Sequence, residues 1–146
     1  FGLSRSLDQG LALLINELES KPGLNGGTLL DETLIVAAGE FGRTVANLNS
    51  DNGRDHHHYV LPAFFAGGGV KGGRIIGATD SRGEFVSDRG WSHDREMQPE
   101  DLIATIYSAL GVDWTERFTN TPSGRLFEMV ETTRVGQVHH IDQLFV

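Results

Sequence analysis

The sequence predicts an α/β fold, specifically part of a doubly wound, mostly parallel sheet with flanking helices. Residues 33–38 form a short apolar run without alternation, which is typical of a strand buried on both faces. Two other segments carry apolar residues at helical spacing. Such a strand needs neighbouring strands and covering helices, and this chain offers about two helices and a few short strands. We therefore expect residues 1–146 to be the carboxyl-terminal portion of a single larger domain, with the remainder upstream.

The first element is an amphipathic helix predicted over residues 7–20. Ser6 and Gln9 fit a capping box, and Pro22 with Gly23 ends the helix. We expect its apolar face to be core. That face consists of Leu7, Leu11, Leu14, Ile15 and Leu18.

After the apolar strand, the sequence predicts a second short strand over Ala63–Ala66, which starts no earlier because Pro62 cannot donate to a ladder. Residues 80–83 read as a hairpin turn between strands at 74–78 and 84–86. Pro99 opens a second helix that Gly111 closes, and short strands follow near 126–130. The helix face predicted as core is Leu102, Ile103, Ile106, Tyr107 and Leu110.

Composition excludes several classes of function. The formal net charge of −8 leaves no basic stripe for a phosphate backbone, so we expect no nucleic-acid partner. No apolar run approaches the roughly 20 residues that a bilayer span requires. The chain has no cysteine, so any metal must be held by histidines and carboxylates.

Glu40 is the first candidate site residue, because it follows the apolar strand within Gly-Glu-Phe-Gly-Arg-Thr. Ligands bind at the carboxyl ends of strands in open α/β sheets. One interpretation is a carboxylate that pairs with Arg43 or caps the next helix. The other is a metal ligand or a general base.

The second candidate segment is Asp55 followed by His56, His57 and His58. Adjacent side chains cannot all face one ion, so at most two of the three imidazoles should bind a metal directly. A histidine cluster in an exposed loop is the alternative. The combination with Glu40 favours a metal site, and Arg43, Arg54 and Arg74 could clamp an anion through paired hydrogen bonds.

Two other features have simpler interpretations. The glycine-rich run 67–73 lacks the Lys-Ser/Thr ending of a phosphate-binding loop, so we interpret it as close backbone packing beside the site. His93, His139 and His140 lie outside any pattern and are expected to be surface or packing residues.

Five runs of the sequence carry a resemblance to a known family. They are Thr-Leu-Ile-Val-Ala-Ala-Gly-Glu-Phe-Gly-Arg-Thr, Gly-Arg-Asp-His, Phe-Phe-Ala-Gly-Gly-Gly-Val-Lys-Gly-Gly, Gly-Ala-Thr-Asp and Asp-Leu-Ile-Ala-Thr-Ile-Tyr-Ser-Ala-Leu-Gly. Together they resemble a bacterial family of sulfatase-like proteins, domain of unknown function 1501, within the alkaline phosphatase superfamily. The resemblance implies an alkaline phosphatase-like sandwich that hydrolyses phosphate or sulfate esters through an activated hydroxyl nucleophile and divalent metals. The metal could be zinc, calcium, magnesium or manganese. The substrate would be a small anionic ester or a sulfated or phosphorylated glycan.

The resemblance also implies roles for individual residues. Glu40 and His56 would bind metal, and Asp55 would orient His56 from behind. From the residue types alone, Asp55, His57 and His58 are the alternative metal ligands. Arg43 and Arg54 would contact the substrate anion. The nucleophile and the remaining ligands would lie upstream of Phe1, and the protein would be periplasmic or extracellular.

One departure from the superfamily pattern opens an alternative function. Glu40 and Phe41 stand where the superfamily carries an Asp-His ligand pair. The chain could therefore be a catalytically degenerate member that binds a glycan or a protein.

Overall fold

The computed structural model describes residues 2–132 and 136–145. The helices within these residues are α1 (Gly2–Glu19), α2 (Pro99–Ala109) and a short 3-10 turn (Asp142–Leu144). The strands are β1 (Ile35–Ala38), β2 (Gly42–Arg43), β3 (His56–His57), β4 (Ala63–Ala66), β5 (Ala78–Thr79), β6 (Val86–Asp88), β7 (Arg117–Phe118) and β8 (Phe127–Glu128).

The strands of the described residues form four two-stranded antiparallel sheets, β1 with β4, β2 with β3, β5 with β6 and β7 with β8. The predicted doubly wound, mostly parallel sheet is therefore wrong. Parallel neighbours require a crossover connection, usually a helix, and residues 39–62 contain no helix. The chain instead returns through β2 and β3, so β4 runs antiparallel to β1.

The first of two compact units comprises residues 2–39 and 62–73 with Phe145. Its β1–β4 ladder pairs Ile35 with Ala66 and Ala38 with Ala63, and the predicted second strand is confirmed. The apolar β1 is covered less than predicted, since only Ile35 is buried and Ala38 is exposed. Because β1 pairs with only one strand in this unit, the side chains of Val36 and Ala37 are half-buried.

Helix α1 begins earlier than predicted and buries none of its residues. Leu7 and Leu14 are exposed, whereas Leu11, Ile15 and Leu18 are half-buried. The prediction that this apolar face is core is therefore wrong for this unit as described. The 3.6-residue spacing fixes which side chains share a face, but it does not supply a surface for them to pack against.

The predicted close packing of the glycine run is confirmed at Gly67 and Gly68 only, because a Cβ at Gly69, Gly72 or Gly73 would meet no other atom within 4 Å. Gly67 has a φ of +67°, and a side chain there would overlap the carbonyl oxygens of Thr33 and Leu30. The Gly68 N–H donates to the Leu30 carbonyl at 2.9 Å. Glycine is required here both for its backbone conformation and for this close approach.

The second unit comprises residues 40–61 and 74–144, of which 133–135 lie outside the described residues. The predicted hairpin turn is confirmed, because β5 and β6 flank Asp80 and Gly83 has a φ of +71°. The Asp80 carboxylate accepts the N–H groups of Arg82 and Glu84, at 2.9 and 3.0 Å. These hydrogen bonds to main-chain groups of the turn explain why the first residue of the turn is an aspartate.

Helix α2 is buried mainly through residues other than the predicted ones, although Tyr107 of the predicted face packs against the core. Its buried residues are Asp101, Ala104 and Thr105, whereas Ile103 and Leu110 are exposed. Ala104 packs with Val130 and Val138, and Tyr107 and Trp114 lie against this cluster. The prediction assumed that the largest apolar side chains of the helix are the buried ones. Asp101 is buried instead because its carboxylate is fully hydrogen-bonded, and Ala104 and Thr105 are buried on the same side of the helix.

Candidate functional site

The β2–β3 ladder brings the segment after Glu40 alongside the histidine run. Gly42 pairs with His57, and Arg43 pairs with His56. A side chain at Gly42 would overlap the Val60 carbonyl oxygen, so only glycine allows the two strands to approach this closely. The Phe-Gly-Arg-Thr sequence therefore has a structural reason for its glycine.

Glu40 lies two residues after β1 in the sequence and is exposed. Among the residues with described positions it makes no ion pair, so the predicted alternative of a Glu40–Arg43 pair is not formed. Arg43 instead donates from Nη1 to the Arg54 carbonyl at 3.0 Å and lies 5.0 Å from the centre of the Phe41 ring. The Glu40 carboxylate is open to a ligand.

His56 is held through one face of its ring. Its centroid lies 3.5 Å from that of Phe41, with 23° between the two planes. The imidazole is exposed, and in the described part of the chain its nitrogens form no hydrogen bond. Since metals approach imidazole nitrogens in the ring plane, stacking on Phe41 leaves them accessible.

The next two histidines differ from each other because side chains alternate along a strand. His57 is buried, and its Nδ1 accepts the Tyr59 N–H at 3.3 Å. His58 is exposed and lies on Tyr59 with 3.8 Å between ring centroids. The run thus presents two accessible imidazoles, and His57 has a packing role in this arrangement.

Asp55 is fixed by its own loop. Its Oδ1 accepts the Asn49 side-chain amide at 2.8 Å, and its N–H donates to Thr44 Oγ1 at 3.1 Å. Asn49 also accepts the Gly53 N–H at 2.9 Å. Sequence reasoning missed Asn49 and Thr44, although Asn49 in a stretch rich in Asn, Asp and Gly is a usable signal for a side chain that organises a turn.

The two arginines predicted as anion contacts bind main-chain carbonyls. Arg54 Nη1 donates to the carbonyls of Thr44 and Ala46, at 2.7 and 3.0 Å. Arg43 donates to the Arg54 carbonyl, as described above. Both side chains are exposed, and each retains guanidinium donors beyond Nη1.

A groove of about 220 Å³ opens beside these histidines. Tyr59 and Phe85 form an aromatic wall, with ring centroids 5.1 Å apart. Sequence reasoning missed this wall and Glu84, because residues 84 and 85 are distant in sequence and no motif connects them to the histidines. The lining consists of Thr44, His56, His57, His58, Tyr59, Glu84 and Phe85.

The donor types suit a divalent metal, but their number falls short. Carboxylate oxygen and imidazole nitrogen are ligands for zinc, and catalytic zinc sites use three protein ligands. No three metal-capable side chains converge in residues 2–132 and 136–145. The described residues alone therefore do not make a complete metal centre.

The chain matches the model of the family described as "Protein of unknown function (DUF1501)" over residues 2–143, and it belongs to this family. The predicted membership is confirmed, whereas nothing found connects the chain with the alkaline phosphatase superfamily. Neither a curated protein nor a solved structure gives a significant match. Within the described residues, no helix has the length and apolar character to cross a membrane.

Proposed function

We propose that this chain contributes to a metal-dependent hydrolase of phosphate or sulfate esters. The observation that supports the proposal is the β2–β3 ladder, which pairs the strand following Glu40 with His56 and His57. The exposed Glu40 carboxylate and the exposed His56 imidazole provide one oxygen and one nitrogen ligand type on this part of the unit.

In the proposed site, Glu40 and His56 bind the metal, and His58 is the alternative imidazole. Asp55, held by Asn49 and Thr44, fixes the backbone from which His56 projects. A divalent metal would polarise the ester and stabilise the charge that develops on it. The proposal requires further ligands and a nucleophile from outside the described residues.

Arg43 is the better of the two candidates for contact with the substrate anion. Arg54 Nη1 already donates to two carbonyls, whereas Arg43 donates to one and lies beside Phe41. The groove would hold the organic part of the ester against Tyr59 and Phe85. A periplasmic or extracellular location belongs to the same proposal and is tested by cell fractionation.

The first experiment compares metal binding and ester hydrolysis in the natural protein. Wild type, Glu40→Gln and His56→Ala are analysed for bound zinc, manganese and calcium, and for turnover of a phosphate and a sulfate monoester. We expect both variants to lose metal and activity. His140→Ala is the matched control, because it removes an exposed histidine elsewhere in the same unit. Equal metal content and activity in wild type and His56→Ala would end the proposal.

A second candidate function is supported by Phe41. Its ring stacks on His56 from a position adjacent to Glu40, and the aromatic groups of the groove are exposed. A degenerate family member that binds a glycan or a protein would have this character. A protein purified without metal, unresponsive to zinc, manganese or calcium, that binds a sulfated glycan and loses that binding in Tyr59→Ser would favour the second candidate.

A further inference from the structure

A carboxyl-terminal segment, residues 137–141, is held at every second residue by hydrogen bonds to α2 and to Arg95 in the loop before it. The Gln137 carbonyl accepts from Arg95 Nη2 at 2.6 Å, and the His139 N–H donates to Asp101 Oδ1 at 2.9 Å. The Ile141 N–H donates to Thr105 Oγ1 at 2.8 Å. We call residues 137–141 the strap.

Apolar packing adds to these bonds. Val138 and Ile141 are each 6% exposed, and Val138 packs on Ala104 and Val130. Asp101, fully buried, accepts two bonds from Arg95, at 2.6 and 2.7 Å, and one from the Gln98 N–H at 2.7 Å. The surface of α2 on which the strap packs is therefore held in place by the hydrogen bonds of Asp101.

A pair of imidazoles lies on the strap. The rings of His93 and His139 stack with centroids 3.7 Å apart and 14° between their planes. Trp91 meets both rings edge-on, at 4.8 and 6.4 Å, and its N–H donates to the Arg95 carbonyl at 2.7 Å. The pair joins the strap to the loop that precedes α2.

The charged groups around the pair disfavour a proton on His139. Burial lowers the pKa of His139 first, and the neighbouring His93, Arg95 and His140 lower it further. Asp101 acts in the opposite direction, but its oxygens already bind Arg95 and two N–H groups. His93 also lines a second cavity, of about 550 Å³, with Asp88, Arg89, Asp94 and Glu96. Arg89 and Asp94 are ion-paired at 2.6 Å.

We propose that protonation of His139, whose ring stacks on that of His93, releases the strap from α2, so that the strap is a pH-operated latch. A proton on His139 would create an imidazolium in a half-buried position near the Arg95 guanidinium, and the two positive charges would repel each other. A histidine whose folded pKa is lowered binds protons more readily when released. The docked state is therefore favoured above about pH 6.5 and is weakened as the pH falls below it.

Amide hydrogen exchange of the natural protein measures the latch directly. The reporters are the N–H groups of His139 and Ile141, and the reference is the Met129 N–H, which donates to the Glu116 carbonyl in the same unit. After correction for intrinsic exchange, we expect protection of the reporters to fall roughly tenfold between about pH 7.5 and 5.5. Met129 should change far less.

Three variants test the assignment to the stacked pair. His139→Gln removes the ring that takes up the proton, and we expect the pH dependence of reporter protection to disappear. His93→Gln removes the ring that stacks on His139, and we expect the pH dependence to become smaller. His140→Gln is the matched control. His140 has the smallest of the effects on the pKa of His139, so most of the wild-type response to pH should stay. Protection of Met129 shows in each case that the unit has folded.

Two results would overturn the proposal. One is reporter protection that does not change with pH in the wild type, or that falls equally in His139→Gln. The other is loss of Met129 protection over the same range, because the whole unit would then be unfolding.

Discussion

At the scale of the residue, Gly42 is the position where local geometry constrains the candidate site most directly. Its ladder partner is His57, and the Val60 carbonyl occupies the place of a side chain. We predict that Gly42→Ala destabilises the second unit by about 1–3 kcal/mol, the usual cost of forcing a methyl group into packed structure. Tryptophan fluorescence during urea unfolding measures this, because Trp91 and Trp114 both lie in that unit.

Gly53→Ala is the matched control for this prediction. Gly53 lies in the loop between β2 and β3, and a Cβ there would meet Asn49 Oδ1 at 3.5 Å, an ordinary contact. We expect its unfolding midpoint to stay close to that of the wild type. Equal midpoints for Gly42→Ala and wild type would show that Val60 can move aside.

The site residues show which part of a site a sequence can reveal. The two motifs predict that Glu40 and the histidines lie together, and β2 pairs Gly42 and Arg43 with the first two histidines. The roles of Glu40 and His56 stay predictions. Asn49, Tyr59 and Phe85 were missed because their contribution depends on the path of the loop and on partners distant in sequence.

At the scale of the element, turn and capping residues in the sequence predicted where an element lies along the chain better than they predicted which other elements it pairs with. The second strand, the Asp80 turn and the start of α2 at Pro99 all lie where turn and capping residues placed them. The apolar run of β1 suggested a strand buried on both faces. The number and direction of neighbouring strands depend on the connection, and residues 39–62 fold without a crossover helix.

The contrast between β1 and α1 gives a second prediction. Ile35 is 8% exposed, whereas Leu7 is 62% exposed on a helix with no buried residue. We predict that Ile35→Ala costs about 2 kcal/mol of unfolding free energy, at the lower end for a core truncation. Leu7→Gln should change it by less than about 0.5 kcal/mol.

Far-UV circular dichroism during urea unfolding measures both variants, because α1 and β1 lie in the first unit, which contains no tryptophan. Leucine and glutamine have similar helix propensities, so Leu7→Gln tests packing rather than helix formation. A loss of stability in Leu7→Gln as large as that in Ile35→Ala would mean that α1 packs through its apolar face.

At the scale of the whole molecule, the buried apolar residues of the described chain are few. They are Ile35, Ala104, Val130, Val138 and Ile141. Single domains of this length normally bury a larger core, and folded proteins are stable by only a small margin. The interpretation of residues 1–146 as part of a larger domain stays a prediction.

Hydrogen-bonded carboxylates are distributed over both units and make the stability of the chain sensitive to acid. Main-chain N–H donors and hydroxyls lower the pKa of five carboxylates. Three of them are exposed, Asp31, Glu32 and Asp113, and two are half-buried, Asp80 and Glu128. Burial alone would raise the pKa of Asp101, but its bonds from Arg95, His139 and Gln98 outweigh burial and lower it. In acid the unfolded chain therefore binds more protons than the folded chain.

The last prediction follows from the sign of these shifts. A carboxylate with a lowered pKa stabilises the fold above its unfolded pKa, about 4, and this contribution is lost as the pH falls through the folded pKa. Asp101→Asn should cost about 2–3 kcal/mol at pH 7, less than for a fully enclosed pair, because the Arg95 side chain stays 27% exposed. The substitution should also make the free energy of unfolding fall less steeply as the pH is lowered.

Asp113→Asn is the control, because the hydrogen bonds of Asp113 are exposed. Urea unfolding between about pH 7 and 3 measures both, and an Asp101→Asn profile parallel to the wild type would contradict the prediction.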